Sequence, residues 1–298
     1  MGNEWPSNEQ KEKSSVFKKF SELKGALVEQ KQAENLKGLD VFSLKVVDQK
    51  KWGSKEGMNK LVETFGPLAF DAFEPRKGNK EYDPNDPEML TGAQDSVESN
   101  IKPADRMYVI ADQDQVKGFI SLECWPLKDG TKAMYVHLVS VDRESQNQGL
   151  NKELYRLAFT EAEISAFLGI SFRPEAVKNR LAIGEEFGYT GFYAGNKNGE
   201  WGNLGTEEER ERIEELNNLM LKKSEEWDIL VDKETPPGYA IWQGDSTLSP
   251  LLAEEVKFSE NDPLKEVFQK GVLKLQKECA PDVAFGILIN LKEKQLDS

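Results

Sequence analysis

The sequence predicts an α/β fold of the α+β kind: a mixed, mostly antiparallel sheet flanked by helices, with extensions at both ends. Three observations carry that expectation. Apolar runs of strand length recur at 39–47, 107–111, 116–125, 133–141, 166–172 and 189–194. Helix-period apolar stripes stand between several of them. A polar, glycine-containing turn, 142–149, joins the run that is apolar on both faces except at His137 to the start of a helix.

Composition narrows the function classes. The 298 residues carry a net charge of -14, with 31% charged and 38% hydrophobic residues, which fits a globular chain with much solvated surface. One histidine, His137, and two cysteines, Cys124 and Cys279, are too few for a disulfide framework or a zinc site, so no metal is expected. Cys124 reads as core, since no second histidine is present to activate it. The acidic balance disfavours nucleic acid, whose phosphates it repels. It suits a cationic amine or lysine-bearing partner, or serves solubility alone. No run approaches the roughly 18 consecutive apolar residues of a membrane span. The opening MGNEWPSNEQKEK has no signal-peptide core, so a cytoplasmic, membrane-free protein is expected.

Taken in order, residues 1–38 form an N-terminal helical extension, with Val16, Phe20, Leu23 and Leu27 spaced for a helix over 15–35. The main domain spans 39–233 with insertions at 67–105 and 196–226, and 234–298 is a C-terminal extension. Ser54 caps a helix striped by Met58, Leu61, Val62 and Phe65, which Gly66-Pro67 is expected to stop. Residues 70–104 read as a long loop with a short helix inside. Within it Glu81, Asp83, Asp86, Glu88, Asp95 and Glu98 stand without a Lys or Arg, as a docking face for a cation or as a solvated loop. Asp112–Gln115 is hairpin-turn chemistry. Pro174 opens a helix that Gly188 ends. Thr206 and Glu209 make a capping box for a helix carrying Ile213, Leu216 and Met220. A helix over 263–278 and a strand over 283–291 close the chain.

Chemistry concentrates in the turn. A glycine-containing turn between a buried strand and a helix start aims successive backbone N–H groups at one spot, where a diphosphate can sit. Gly149 lets the backbone come close to such a ligand. The run VSVDRESQNQGLN, from Val139 to Asn151, resembles the acetyl-coenzyme A motif of the GNAT superfamily, Q/R-x-x-G-x-G/A after a strand, with Asn151 in place of the final small residue. The superfamily's element order covers roughly 39–233.

The resemblance implies an N-acyltransferase that moves an acetyl group from acetyl-CoA to a primary amine, of a polyamine, a lysine or an N-terminus, by direct attack. It implies that the backbone of Val139 and Val141 pairs with the pantetheine arm. The amides of Gln146, Asn147, Gln148, Gly149, Leu150 and Asn151 would hold the pyrophosphate. Asn179 falls near the superfamily's helix asparagine. The position of its usual tyrosine falls on Gly184 or Phe187, which leaves Tyr189, Tyr193, water or no group at all to protonate the leaving thiolate.

Strand alternation puts Tyr135, His137 and Val139 on one face, and His137 lies nine residues before Gln146, as a strand histidine of the superfamily does. His137 is the candidate general base, or a hydrogen-bonded histidine inside a sheet, with Glu123 as a reserve base. A second function class stays open: a catalytically inactive GNAT-like scaffold that binds coenzyme A or a protein. Its terminal extensions would then be the surfaces for a partner or a homo-oligomer.

Overall fold

The computed structural model describes residues 15–31, 35–36, 38–73, 82–112, 115–146, 148–161, 163–171, 174–193, 196–197, 206–224, 229–230, 239–242, 264–265, 272, 274–275 and 283–292. Two compact units share the chain. The first comprises Met1–Ala72, Tyr82–Ser121 and Leu138–Leu154, and the second Phe73–Glu81, Leu122–His137 and Tyr155–Ser298.

The first unit opens with helix α1 (Ser15–Ser21) and strand β1 (Ala26–Lys31), where a single helix over 15–35 was expected. Gly25, at φ +79°, is the reason: a Cβ there would stand 2.3 Å from the Asp48 carbonyl, so the chain turns at a point only glycine can occupy. Phe20 and Leu23 still enter the core, whereas Leu27 is exposed on β1. Strands β2 (Asp40–Val46) and β3 (Arg106–Asp112) continue an antiparallel ladder from β1, and β4 (Gln115–Pro126) lies next to β3.

After the short α2 (Gln49–Trp52), α3 runs unbroken over Lys55–Phe73, begun by the Gly57 N–H donating to Ser54 Oγ at 3.1 Å. The expected stop at Gly66-Pro67 is overturned. Pro67 costs the Glu63 carbonyl its helical bond, but Glu63 is exposed and water can serve there. Burying Leu68 and Ala69 in the next turn favours continuation, and Ser140 Oγ donates to the Leu68 carbonyl at 2.8 Å.

The acidic stretch is likewise helix rather than loop: α4 spans Pro87–Asn100, burying Ala93 and Val97. Asp86 is its N-cap, accepting from the Glu88 and Met89 N–H groups at 2.9 and 3.3 Å with Pro87 in the first turn. Asp83 accepts from Asn85. Both aspartates are therefore spent on local structure. The unit's core is aromatic, with Phe20 against Phe42 and Phe65, and Phe65 against Phe119.

Strand β5 (Lys132–Val141) and β4 each contribute residues to both units. A 3₁₀ turn, Arg143–Ser145, leads to α5 (Leu150–Phe159). In the second unit β6 (Ile164–Ser171) pairs with β5 in parallel, then α6 (Pro174–Glu186) and β7 (Tyr189–Tyr193) follow, with the short β8 (Asn196–Lys197) paired to β7. The capping box forms in both directions, the Glu209 N–H donating to Thr206 Oγ1 at 3.3 Å and the Thr206 N–H to Glu209 Oε2 at 2.8 Å, and starts α7 (Glu207–Ser224). Strands β9 (Ile229–Leu230), β10 (Tyr239–Trp242) and β11 (Val283–Lys292) complete the sheet. Most of 263–278 lies outside the described residues.

The segment expected as a C-terminal extension thus supplies a sheet strand. β11 pairs antiparallel with β6 over 286–291, with β10 over 283–286 and with β7 over 288–292. Apart from the parallel β5–β6 ladder, these pairings are antiparallel, as the fold class anticipated. Alternation along β11 divides two cores. Ile287, Ile289 and Leu291 join Tyr135, Leu168 and the α7 residues Ile213, Leu216 and Met220, while Leu288 packs with Val177 of α6 and Tyr193 of β7.

On the α6 face sits Arg180, 3% exposed, with no carboxylate partner among the described residues. Its Nε donates to Asn290 Oδ1 at 2.9 Å and an Nη to the Leu288 carbonyl at 3.4 Å. Burial pulls its pKa down to about 10, with Tyr155 and Tyr135 acting the other way, so it remains a cation at neutral pH. A Cβ on Gly169 would come within 2.6 Å of an Arg180 Nη, and one on Gly184 within 2.6 Å of Asn290 Nδ2, so both glycines make room for the pair. Asn290→Ala strands the guanidinium in the core. Urea unfolding followed by tryptophan fluorescence should show stability reduced by about 1–3 kcal/mol, and an unchanged midpoint would remove this role.

Candidate active site

Strand alternation builds the second unit's polar cluster. On β4, Glu123 and Trp125 share a face, as do Tyr135 and His137 on β5. Helix α7 covers that face with Ile213, Leu216 and Met220, and Lys223, three residues beyond Met220, continues the same stripe. The two residues singled out separately as base and reserve base meet here. His137 Nε2 stands 3.0 Å from Glu123 Oε2, and Lys223 Nζ stands 2.9 Å from Glu123 Oε1. The side chains are 4%, 12% and 29% exposed for His137, Glu123 and Lys223.

Tyr135 sets the imidazole's orientation. Its ring lies edge-on to His137 with centroids 4.8 Å apart at 79°, and it stacks on Trp125 at 5.1 Å and 9°. Burial pushes the Tyr135 hydroxyl well above its ordinary pKa, so Tyr135 packs and orients rather than titrates.

Burial also pushes the Glu123 carboxyl up, but hydrogen bonds from His137 and Lys223 outweigh it and hold the group below its ordinary 4.5. An ionised Glu123 accepts only, so the facing Nε2 is the donor, and in the neutral tautomer the lone pair falls on Nδ1. The cluster stands where the sheet opens. The β5–β6 ladder runs from Lys132–Ile164 to Tyr135–Leu168 and ends there, although β5 continues to Val141 and β6 to Ser171. His137 is two residues past the last paired position.

The glycine-containing turn lies in the first unit. Asp142 organises it, accepting from Lys117 Nζ and Ser145 Oγ, both at 3.2 Å. Gly149 has φ +81°, and among the described residues, its chain neighbours aside, no atom lies within 4 Å of where its Cβ would be. Leu150 and Asn151 open α5, where backbone N–H groups have no carbonyl one turn back. Gln148 bonds within the turn, its N–H on the Ser145 carbonyl and its Nε2 on the Glu144 carbonyl, both at 3.3 Å, and Gln146 and Gln148 are both exposed. Val139 and Val141 are half-buried on β5, and the buried Asn151 Oδ1 has no hydrogen-bond partner. Asn147 lies outside the described residues.

Of the remaining candidates, Tyr189 sits among Phe159 and Phe167 with its hydroxyl donating to the Ile164 carbonyl at 2.8 Å, and burial pushes its pKa up to about 12. Tyr193 is engaged the same way, on the Ser171 carbonyl at 3.0 Å. Asn179 is half-buried on α6.

No protein-family model and no curated protein sequence matches the chain. Solved structures similar to it include an integron cassette protein from the mobile metagenome of V. cholerae, at 14% identity over 49% of this chain and 85% of that one, with a TM-score of 0.36. A ribosomal-protein-alanine N-acetyltransferase from Brucella melitensis biovar Abortus 2308 is similar at 17% identity over 42% and 72%, TM-score 0.28. RimL, a ribosomal L7/L12 alpha-N-protein acetyltransferase in complex with coenzyme A, is similar at 16% identity over 55% and 85%, TM-score 0.30.

Sequence reading missed Lys223 and Arg180. The signal for each is a lone cation in register with an apolar stripe: Lys223 after Ile213, Leu216 and Met220, and Arg180 between Val177 and Ile183. Because Glu123 is held below 4.5 in the folded chain, its stabilising effect is complete above that value and is lost as pH falls through the lower folded one. Glu123→Gln should accordingly flatten the fall in melting temperature below about pH 4.5, and parallel acid profiles for the two proteins would show that the carboxylate is not specially stabilised.

Proposed function

We propose that this chain is a GNAT-type N-acyltransferase that moves an acetyl group from acetyl-CoA to a primary amine, with His137 as general base. The observation that carries the reading is the buried hydrogen bond between His137 and Glu123 just past the end of the β5–β6 ladder. An ammonium cannot attack a thioester until it loses a proton, and a neutral imidazole held by an ionised carboxylate is suited to take it. Glu123 fixes the tautomer and stabilises the imidazolium that forms, and Tyr135 holds the ring. The amine nitrogen forms the new C–N bond, the C–S bond breaks, and coenzyme A leaves as a thiolate that takes up the proton the amine has shed. Since the Tyr189 and Tyr193 hydroxyls already donate to carbonyls, the imidazolium or water returns that proton.

The turn from Asp142 to Asn151 is the proposed pyrophosphate holder, supported by the room that the described residues leave where a Gly149 Cβ would stand and by the helix start at Leu150. Backbone of Val139 and Val141, beyond the paired part of the ladder, is the proposed pantetheine partner. Asn147 and Asn179 remain proposed contacts of the same ligand.

His137→Ala should lower acetyl transfer to spermidine or a lysine peptide by about 10²–10⁴-fold while leaving acetyl-CoA affinity, read by calorimetry, within error of the unmodified protein. Gly149→Glu, which places bulk and negative charge in the turn, should abolish that affinity. A protein that neither binds acetyl-CoA nor transfers acetyl is the interaction scaffold instead.

A further inference from the structure

We propose that the Glu123 carboxylate is a seat for a primary ammonium ligand, and that Lys223 of α7 occupies it from within the chain, so an external primary amine takes the seat by displacing Lys223. This rests on the acyltransferase reading for its purpose but not for its chemistry. An alkylammonium already stands at the proposed base's partner, 2.9 Å from the oxygen that His137 does not use. Lys223 is the most exposed of the three side chains and His137 the least.

Charge selects what can replace it. Glu123 is nearly buried and ionised, and removing Lys223 without a substitute cation takes the ammonium from one of its oxygens, which is costly in a low-dielectric setting. A neutral ligand is therefore rejected and a cation admitted. The 2.9 Å contact is a charge-assisted hydrogen bond, so the cation must also carry an N–H, which excludes quaternary ammonium. Primary amines on an alkyl stem satisfy both conditions, and a polyamine and a lysine side chain share that chemistry. Displacement by the acceptor would also put its nitrogen at the carboxylate that orients the base, whereas a bound Lys223 would protect the pair from water in the resting protein.

The test uses the full chain and calorimetry without acetyl-CoA, so it is read apart from catalysis. Lys223→Met keeps the aliphatic stem and vacates the seat. If Lys223 holds the seat about nine-tenths of the time, this variant binds n-butylamine about tenfold more tightly than the unmodified protein. Glu123→Gln added to Lys223→Met should erase the gain, and tetramethylammonium should show none. Lys223→Arg, which keeps a cation in place, controls for loss of fold and should stay weak. Equal n-butylamine affinity in Lys223→Met and the unmodified protein, or a gain that survives Glu123→Gln, overturns the inference. Spermidine and a Gly-Lys-Gly peptide titrated into Lys223→Met distinguish a free polyamine from a peptide lysine. Absence of acetyl transfer with the ammonium gain intact would sink the acyltransferase reading and leave the seat standing.

Discussion

β11 is the strand on which the second unit's sheet depends. One edge pairs with β6, and the other pairs with β10 in its first half and β7 in its second, so β6 and β7 both lose a neighbour if it leaves. A backbone edge without a partner in a buried sheet costs several unmade hydrogen bonds, which makes β11 a requirement rather than an addition. It also brings Asn290 to Arg180, whose guanidinium finds no other side-chain acceptor among the described residues. That pair is demanding: the guanidinium is desolvated without a counter-charge among the described residues, and the amide oxygen and the Leu288 carbonyl offset that cost. Gly169 and Gly184 are consequences of the same constraint, since a side chain at either place would occupy the room that the guanidinium and amide need.

On the opposite face the same alternation does different work. Tyr135, Leu168 and Ile289 form an apolar floor beneath α7, and the floor gives way to polar groups at Glu123 and His137. A carboxylate in such a setting persists only when both oxygens are satisfied, and here one takes an imidazole and the other an ammonium. Lys223 is thus tied to the core packing of α7: Ile213, Leu216 and Met220 fix the helix, and the helix fixes where its next inward residue falls. Aromatic packing completes the arrangement, because Trp125 under Tyr135 and Tyr135 against His137 leave the imidazole little freedom to turn.

The places where sequence reading went astray share a physical cause. At 15–35 the helical period of Phe20 and Leu23 is real and is used, but a side chain at Gly25 would meet the Asp48 carbonyl, a contact between residues 23 apart that no local window contains. At Gly66-Pro67 the local rule for ending a helix is sound, and it is overridden by the burial of Leu68 and Ala69 and by Ser140 donating to the Leu68 carbonyl from β5. For Pro87–Asn100 the error was one of weighting: Asp86 and Pro87 were a helix-start signal in plain view, hidden by a run of acidic and turn-forming residues around them.

The sequence by itself determined most strand and helix positions from 39 to 193, the caps at Ser54 and Thr206, the turn around Gly149, and which faces of β4 and β5 carry Glu123, Tyr135 and His137. All of these follow from short-range periodicity, capping chemistry or glycine, which act within a few residues of chain. Only the tertiary structure decided that Glu123 and His137 share a hydrogen bond, that Lys223 closes the carboxylate, that β11 enters the sheet between β6 and β7, and that Arg180 finds Asn290. Each of those pairings joins residues between 14 and 125 positions apart. Contacts at that range are set by strand register and by how a helix settles on its core, and neither is written in the spacing of neighbouring residues.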